Sequence, residues 1–278
     1  MKSAITRIRI PEHDGDYSDA INRAIDEHWR IGVSHIILPK GELQISERIA
    51  LGRSAMKGSL TIQGSGDTTL VNESGSAEFD LTGTSQVTLS NMTLDNVSVR
   101  ANGPVDELHL ANITFLDEGV TIHGDEDAQA MGWRINDCAF VDCAVGVHCS
   151  GLANDGLIER CFFADNTIGV EVVTQNNLES EVNDFGNCPR ITQRDIRFEV
   201  PVGAVAWHFG GTSTAPLIVD GARVDGDGKL GKIGYTGRRF GHSLSRVWST
   251  IGPLTVPQGV WVQTFACDGV SYAKVSTS

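Results

Sequence analysis

The chain has 278 residues, of which 40% are hydrophobic, and a formal net charge of −13. This length suits one large or elongated domain with a sizeable core. The acidic balance excludes a sequence-independent grip on nucleic acid or on an anionic membrane, because both require clustered Lys and Arg. The N-terminal residues lack the apolar core of a secretory signal, and no apolar run approaches the ~20 residues that span a bilayer. We therefore expect a soluble protein that stays in the cytosol where it is made, unless a signal has been removed.

The first predicted element is a helix in DGDYSDAINRAIDEHWRIG. Its apolar residues recur at helical spacing, Asp16 or Ser18 is placed to act as N-cap, and Gly32 is placed to end the helix. A stack of short strands has an open first edge that must be covered. We predict that residues 1–34 form this N-terminal cap.

Short segments of one outline recur through the middle of the chain. They are LSNMTLD (89–95), LANITFLD (110–117), INDCAFVD (135–142), IERCFFAD (158–165) and VNDFGNCP (182–189), which start 21, 25, 23 and 24 residues apart, and IVDGARVD (218–225) follows after a longer gap. Second strands with glycine corners lie between them, at 119–124, 145–151 and 168–174. Helical repeats have longer periods, so this unit predicts a parallel β-solenoid over residues 35–228.

Stacked coils place like residues above like residues, about 4.8 Å apart. The predicted interior columns are an aliphatic ladder (Leu89, Leu110, Ile135, Ile158, Val182), a pair of thiols (Cys138, Cys161) and an aromatic ladder (Phe115, Phe140, Phe163). Five aspartates end their strands at turns, where Asp can hydrogen-bond its own backbone: Asp95, Asp117, Asp142, Asp165 and Asp225.

Residues 229–278 lose this outline. They contain β-rich runs such as GVWVQTFA, a Pro-Gln-Gly turn and several large aromatic residues. We predict a β-rich segment that does not form coils and that caps the solenoid or contacts neighbouring subunits.

The opening stretches DGDYSDAINRAIDEHW, IGVSHIILPKGELQI and LTIQGSG resemble the start of the pectate-lyase-like superfamily of right-handed parallel β-helices. That superfamily includes polysaccharide lyases, polygalacturonase-type hydrolases and bacteriophage tail spikes. The resemblance covers residues 14–66 and the coil pattern extends it to about 228. It implies an all-β, right-handed, single-stranded parallel β-helix of about eight coils. It implies little about function, because one scaffold hosts many sites.

Carboxylates in neighbouring coils are the candidates for catalysis, since a glycoside hydrolase needs two carboxyl groups across a groove. Asp142 and Asp165 are predicted to stack in one column. Asp137, Arg160 and Asp184 share another column, for which a salt-bridged surface stack is the favoured interpretation. A lyase could use Arg160 or Arg194 as its base. The polygalacturonase-type set of close aspartates with a downstream Gly-His-Gly is absent, and this weakens an enzymatic interpretation.

Other residues suggest ligand contacts. Trp133 and Trp207 could stack on sugar rings or be buried under loops, and Glu181 could join them. The acidic run at Asp125, Glu126 and Asp127 is a solvated loop or a calcium site. The six cysteines lack paired CxxC spacing and the histidines lack short mutual spacing, so we expect free thiols and no zinc site.

Three functions remain open. The favoured one is a bacteriophage virion component, either a tail spike or a capsid decoration, which assembles in the host cytoplasm as a homotrimer, contacts other virion proteins and binds cell-surface polysaccharide. The missing signal, reduced cysteines and distinct C-terminal segment favour it. A secreted, extracellular polysaccharide lyase or hydrolase is the alternative, and a purely structural solenoid is the third.

Overall fold

The chain folds into a parallel β-solenoid with one short helix near its N terminus. The computed structural model describes residues 6–31, 33–52, 58–73, 77–125, 128–174, 191–211, 217–233, 242–256, 262–265 and 275–277. Every described strand pair is parallel, and within the two long sheets the inner strands pair with strands of the coils before and after them. The prediction of an all-β parallel β-helix is confirmed.

The elements alternate between short strands and turns along the chain. Up to residue 131 they are β1 Thr6–Arg9, α1 Ser18–Ile31, β2 Val33–Ile37, β3 Gly41–Gln44, β4 Ile49–Ala50, β5 Leu60–Gln63, β6 Thr68–Val71, β7 Glu78–Asp80, β8 Val87–Asp95, β9 Ser98–Asn102, β10 Val105–Asp106, β11 His109–Leu116, β12 Val120–Gly124 and β13 Ala130–Met131. The later ones are β14 Arg134–Asn136, β15 Ala139–Val141, β16 Val145–Gly151, β17 Gly156–Glu159, β18 Phe162–Ala164, β19 Ile168–Thr174, β20 Ile191–Val200, β21 Val205–Gly211, β22 Leu217–Gly226, β23 Lys229–Ile233, β24 His242–Ser249, β25 Gly252–Val256, β26 Val262–Phe265 and β27 Val275–Thr277.

Two long sheets run along the solenoid. Sheet A has 15 strands along the path β1-β2-β5-β8-β11-β14-β17-β20-β22-β24-β26, with β3, β6, β15 and β18 beside it. Sheet B has 10 strands in the order β27-β25-β23-β21-β19-β16-β12-β9-β7-β4, and β10 pairs with β13 in a small third sheet. Neighbours in each sheet are one coil apart in sequence, as stacking of coils requires.

The core is a set of ladders made by in-register residues. Leu89, Leu110, Ile135 and Ile158 are successive register partners and are fully buried. The aromatic ladder is confirmed and is one residue longer than predicted. Its rings, Phe115, Phe140, Phe163 and Phe198, stack with centroids 4.7, 4.9 and 4.8 Å apart. Each such contact is worth about 0.5–1.5 kcal/mol beyond the area it buries.

The aliphatic ladder departs from the prediction after Ile158, whose next register partner is Gln193 and not Val182. The 182–189 segment lies outside the described residues. Gln193 is fully buried, and its Oε1 accepts a hydrogen bond from Trp207 Nε1 at 2.8 Å. A polar residue can take a core position when it is hydrogen-bonded. Because Gln193 does so here, this coil lacks the aliphatic residue that marks the repeat in the sequence.

Two turns recur in successive coils, and both use left-handed backbone. In the first turn column, Asn91, Asn112, Asp137, Arg160, Asp195 and Arg246 have φ of 58, 53, 55, 52, 48 and 53°. In the second turn column, Asn96, Asp117, Asp142 and Asp165 have φ of 54, 66, 59 and 57°. Asn and Asp tolerate this conformation best among non-glycine residues, which explains their recurrence at these turns. Asp95 and Asp225 lie one position before the second column, paired with Leu116 and Glu199.

The C-terminal segment continues the solenoid, so the prediction that residues 229–278 form no coils is wrong for the strands described. In sheet A, β24 pairs with β22 and β26 with β24; in sheet B, β25 pairs with β23 and β27 with β25. Arg246 takes the left-handed turn position of this outline, as Arg160 does in an earlier coil.

The predicted N-terminal helix is α1. Ile21, Ala24 and Ile25 are buried, and the helix contacts β2 and β4 at the first coils. Asp16 Oδ1 accepts a hydrogen bond from the Ser18 backbone nitrogen at 2.7 Å, as expected of a cap, while the predicted terminator Gly32 lies outside the described residues. No helix in the described part of the chain is long and apolar enough to cross a membrane.

Candidate functional site

Asp137 and Arg160, two predicted catalytic residues, form an ion pair in the first turn column. Arg160 Nε donates to Asp137 Oδ1 at 2.7 Å and Nη2 donates to Oδ2 at 2.9 Å. These hydrogen bonds, followed by one from Asn136, lower the pKa of Asp137 to about 2. An aspartate held in this way carries no proton at neutral pH, so it cannot serve as the general acid of a glycoside hydrolase.

The pair belongs to a longer chain of charges. Arg160 also contacts Glu159 at 2.6 Å, and Arg194 on the next coil reaches the other oxygen of Glu159 at 3.2 Å. Two coils further, Arg246 pairs with Asp220 at 2.9 Å and with Asp195 at 3.2 Å. We call this set the ion-pair column: Asp137, Glu159, Arg160, Arg194, Asp195, Asp220 and Arg246. The salt-bridged interpretation of the Asp–Arg stack is what the geometry supports.

The third residue of that predicted stack is replaced. Asp184, like Glu181, lies outside the described residues. Glu159 and Arg194 are register partners, and each is followed by a left-handed residue, so Asp195 takes the column position after Arg160. Gly221 follows Asp195 in the same column. A Cβ there would lie 2.4 Å from Asp195 Oδ1, so the glycine leaves room for Arg246 to reach across a coil.

Asp142 and Asp165 are exposed and occupy successive positions of the second turn column. The Asp142 nitrogen donates to the Ala164 oxygen at 3.1 Å, which ties the two coils together next to Asp165. Coils are about 4.8 Å apart, which is compatible with the ~5 Å between carboxyl groups of a retaining glycoside hydrolase. Their catalytic role stays a prediction.

The prediction that Trp133 and Trp207 stack on sugars at the surface is wrong, because both side chains are 0% exposed. Trp207 makes an edge contact with Phe198 at 5.1 Å between centroids. A Cβ on Gly156 would lie 1.9 Å from the Trp133 ring, so that glycine makes space for the indole. Both indoles fill the interior and neither is available to a ligand.

The acidic loop is only partly described. Asp125 is included, whereas Glu126 and Asp127 lie outside the described residues. Among the residues that the structure does describe, no group of three or more His, Cys, Asp or Glu side chains is placed to hold a metal ion. The calcium site stays a prediction.

Four side chains on the outer face of sheet A form a row that no sequence motif marked. In register on successive coils, they are Phe162, Arg197, Arg223 and Trp248. The Arg197 guanidinium lies 5.3 Å from the Phe162 ring centroid, and that of Arg223 lies 4.7 Å from the Trp248 ring. We call this set the aromatic–arginine row. Alternation could have found it, because Phe162 immediately precedes the inward Phe163.

Each arginine of the row also pairs with an acid two residues along its own strand. Arg197 contacts Glu199 at 2.6 Å, and Arg223 contacts Asp225 at 2.7 Å. The arginine side chains are 52% and 59% exposed, so the row presents guanidinium, carboxylate and ring surface to solvent. Such a combination can hydrogen-bond hydroxyl groups and pack against carbon–hydrogen faces of a ligand.

The column continues past Phe162 with small residues. Its register partner on the preceding coil is Ala139, and Thr114 precedes Ala139. A methyl group covers little of the neighbouring ring, and Phe162 is only partly buried. Phe162 therefore lies between an arginine on the next coil and a small alanine on the preceding one.

A second polar array lies on the outer face of sheet B. His148, Glu171 and His208 are register partners on three coils, and each histidine Nδ1 donates to one Glu171 oxygen at 2.7 Å. Burial by itself would raise the pKa of Glu171, but the hydrogen bonds from His208 and His148 hold it below its usual value. The carboxylate thus stays ionised and fixes both rings.

The fold places the chain in the class of parallel β-helix proteins. No family model matches the sequence, and no curated protein matches it either. Among solved structures, ORF18 of Geobacillus virus E2 is similar with a TM-score of 0.50 at 15% identity, over 98% of this chain and 60% of that one. PfbA, a surface adhesin of Streptococcus pneumoniae, gives 0.47 at 10% identity over 99% and 91%. The catalytic domain of a GH87 alpha-1,3-glucanase gives 0.37 at 10% over 100% and 68%. At these identities the likeness concerns the fold.

Proposed function

We propose that this protein is a β-helix component of a bacteriophage particle and that it binds polysaccharide on the host cell through the aromatic–arginine row. The observation that carries the proposal is the alignment on four successive coils of two partly exposed rings and two exposed arginines: Phe162, Arg197, Arg223 and Trp248. The core of sheet A already has its own ladder of buried phenylalanines, so aromatic side chains on the outer face of this sheet are not needed to fill the core.

The chemistry of the row suits a carbohydrate. A sugar ring offers an apolar face of carbon–hydrogen groups and a rim of hydroxyls, and the row offers ring surface beside fixed donors and acceptors. The ion pairs hold the guanidinium groups in place, which lowers the entropy lost when they engage a ligand.

The virion assignment extends this binding role. It is supported by the shared fold with ORF18 of Geobacillus virus E2, of which this chain spans 60%. In this proposal the solenoid assembles in the host cytoplasm as a homotrimer and attaches to other virion proteins at the tail or capsid. In this arrangement the long axis of the solenoid lies along the particle surface or the spike axis, so that the aromatic–arginine row faces the cell.

The binding test uses the full chain and polysaccharide extracted from host cells. Phe162→Ala with Trp248→Ala is expected to weaken binding at least about tenfold, because the two changes together remove both aromatic surfaces of the row and a tenfold loss corresponds to about 1.4 kcal/mol. Met131→Ala is the matched control, since Met131 is an exposed apolar residue outside the row. Retention of full affinity by the double variant would overturn the assignment of the site.

Assembly is tested separately by light scattering. A homotrimer has three times the 29.9 kDa mass of the chain. A monomer at all concentrations would overturn the trimeric virion form of the proposal while leaving glycan binding intact.

A glycan-cleaving enzyme is the second candidate, and the stacked, exposed carboxylates of Asp142 and Asp165 favour it. Reducing ends released from a bound polysaccharide would be lost in Asp142→Asn and in Asp165→Asn, whereas Asp117→Asn in the same column is the control. Equal release by all three variants would remove this pair from the mechanism.

A further inference from the structure

The aromatic–arginine row carries no unpaired positive charge. Each guanidinium is already engaged, Arg197 by Glu199 and Arg223 by Asp225, at 2.6 and 2.7 Å. A carboxylate, sulfate or phosphate on a ligand would have to displace one of these acids before it could form its own ion pair.

The surroundings of the row add negative charge. The Asp165 backbone nitrogen donates to the backbone oxygen of Glu199 at 3.2 Å, so the second turn column follows directly on the strand positions that carry the acids of the row. Asp142 and Asp117 continue that column, and both are exposed. On its other side the row adjoins the ion-pair column, which adds three arginines and four acids. With these included, the carboxylates around the row still outnumber the guanidiniums, so the surroundings disfavour a polyanion, as does the net charge of −13.

A ligand with neutral hydroxyl groups need not displace the paired acids and is not repelled by the negative charge. A carboxylate accepts from hydroxyl groups and a guanidinium donates to them, so a paired Arg and acid can satisfy adjacent hydroxyls without breaking their own contact. The partly exposed rings of Phe162 and Trp248 supply the apolar surface.

The row also sets the direction and length of a ligand. Its four members lie on successive coils, so it extends along the solenoid axis for about 14 Å, three coil spacings. The small side chains of Ala139 and Thr114 continue the column beyond Phe162 without closing it. An extended chain can lie along this path, whereas a single sugar would contact one coil.

We infer that the ligand of the row is an uncharged polysaccharide that runs along the solenoid axis over several coils. This inference rests on the proposed glycan-binding function and specifies the chemical class that the site accepts.

The experiment compares retention of the full chain by neutral polysaccharides (dextran, mannan, β-glucan) and acidic ones (alginate, polygalacturonate, hyaluronan) in affinity electrophoresis, at low and high salt. We expect retention by a neutral polymer, with little salt dependence and stronger competition by longer oligosaccharides than by monosaccharides, because screening weakens only ion-pair contacts. Retention by acidic polymers alone, lost at high salt, would overturn the inference and keep the proposed function. If neither these polymers nor the host polysaccharide retained the protein, both the inference and the proposed function would be overturned.

A charge variant tests the same inference in the opposite direction. Glu199→Gln with Asp225→Asn frees both guanidiniums and is expected to create salt-sensitive binding of acidic polymers, at least about tenfold above wild type. The control Glu27→Gln removes a carboxylate from another exposed ion pair, with Arg30 on α1, and should create none. Equal behaviour of the two variants would show that pairing of the arginines does not exclude acidic glycans.

Discussion

Phe162 and Phe163 are neighbours in β18 with opposite surroundings. Phe163 is 1% exposed and stacks between Phe140 and Phe198 at 4.9 and 4.8 Å. Phe162 lies on the outer face with an arginine over one side of its ring. The same residue type, one position apart, thus contributes to the core in one case and to the surface in the other. Ladders of like residues form on both faces of a solenoid, but only the inner ladder excludes water.

The residues that contact each ring differ between the buried inner face and the solvated outer face. On the inner face each phenylalanine meets further phenylalanines, so its contribution is burial and packing. On the outer face Arg197 and Arg223 cover the rings and are themselves held by acids, so the contribution there is a fixed, solvated surface. Substitutions on the two faces should therefore separate stability from binding.

The largest expected effect is that of Phe163→Ala. Removing a buried ring from the middle of the ladder should lower the free energy of unfolding by about 3–5 kcal/mol, because it loses the transfer energy of the ring and leaves a cavity. Chemical denaturation followed by circular dichroism measures it. Phe163→Leu, which keeps most of the volume, should restore more than half of the loss. A loss below that of an ordinary surface substitution would contradict the placement of Phe163 in the core.

A smaller effect is expected for Gly156→Ala. A Cβ at this position would lie 1.9 Å from the Trp133 ring, which is fully buried. Overpacking of this kind typically costs about 1–3 kcal/mol. Pairing the change with Trp133→Phe should recover part of the loss in free energy of unfolding. Near-ultraviolet circular dichroism of tryptophan would report the altered packing in Gly156→Ala. Additive losses in the double variant would contradict contact between the two residues.

The residues on the inner face of the coils could be predicted well from the sequence, and those on the outer face could not. Apolar residues recur inside the coils because each must fill the same space, and this made Leu110, Ile135 and Phe140 predictable from spacing alone. Outward residues obey no such rule, so Arg197 and Trp248 repeat no motif. Insertions break the spacing as well. Gln193, hydrogen-bonded inside the core, replaced the expected aliphatic residue, and the predicted register then moved to the wrong segment.

The candidate sites show the same limit. The Asp–Arg stack was found because both residues sit in a turn column, where left-handed backbone selects for Asp and Asn. Its last member was misassigned, because the column passes to Asp195 after an irregular spacing. The indoles were misplaced because the sequence does not show which way a tryptophan faces. Trp207 lies in β21 and Trp133 directly before β14, and the packing of their coils turns both side chains inward.

Glu171 offers a pH-dependent test of an outward polar column. Its folded-state pKa lies below the usual value, so its contribution to stability is present above the unfolded pKa of about 4.5 and is lost as pH falls through the folded pKa. Glu171→Gln should lower the free energy of unfolding by about 1 kcal/mol at neutral pH, and its curve should approach wild type in acid. Glu12→Gln, which removes an exposed carboxyl, is the control for loss of one charge. A difference that is independent of pH would contradict an ionised Glu171 held by both histidines.

The smallest expected effect on stability is that of Phe162→Ala, and it completes the comparison with Phe163. The ring is only partly buried and makes one guanidinium contact, an interaction of about 0.5–1 kcal/mol at an exposed site, so the free energy of unfolding should change by about 1 kcal/mol or less. Glycan affinity should fall nevertheless, because the ring supplies apolar surface at one end of the row. A stability loss as large as that of Phe163→Ala would mean that Phe162 belongs to the core, and the binding surface would then have to be sought without it.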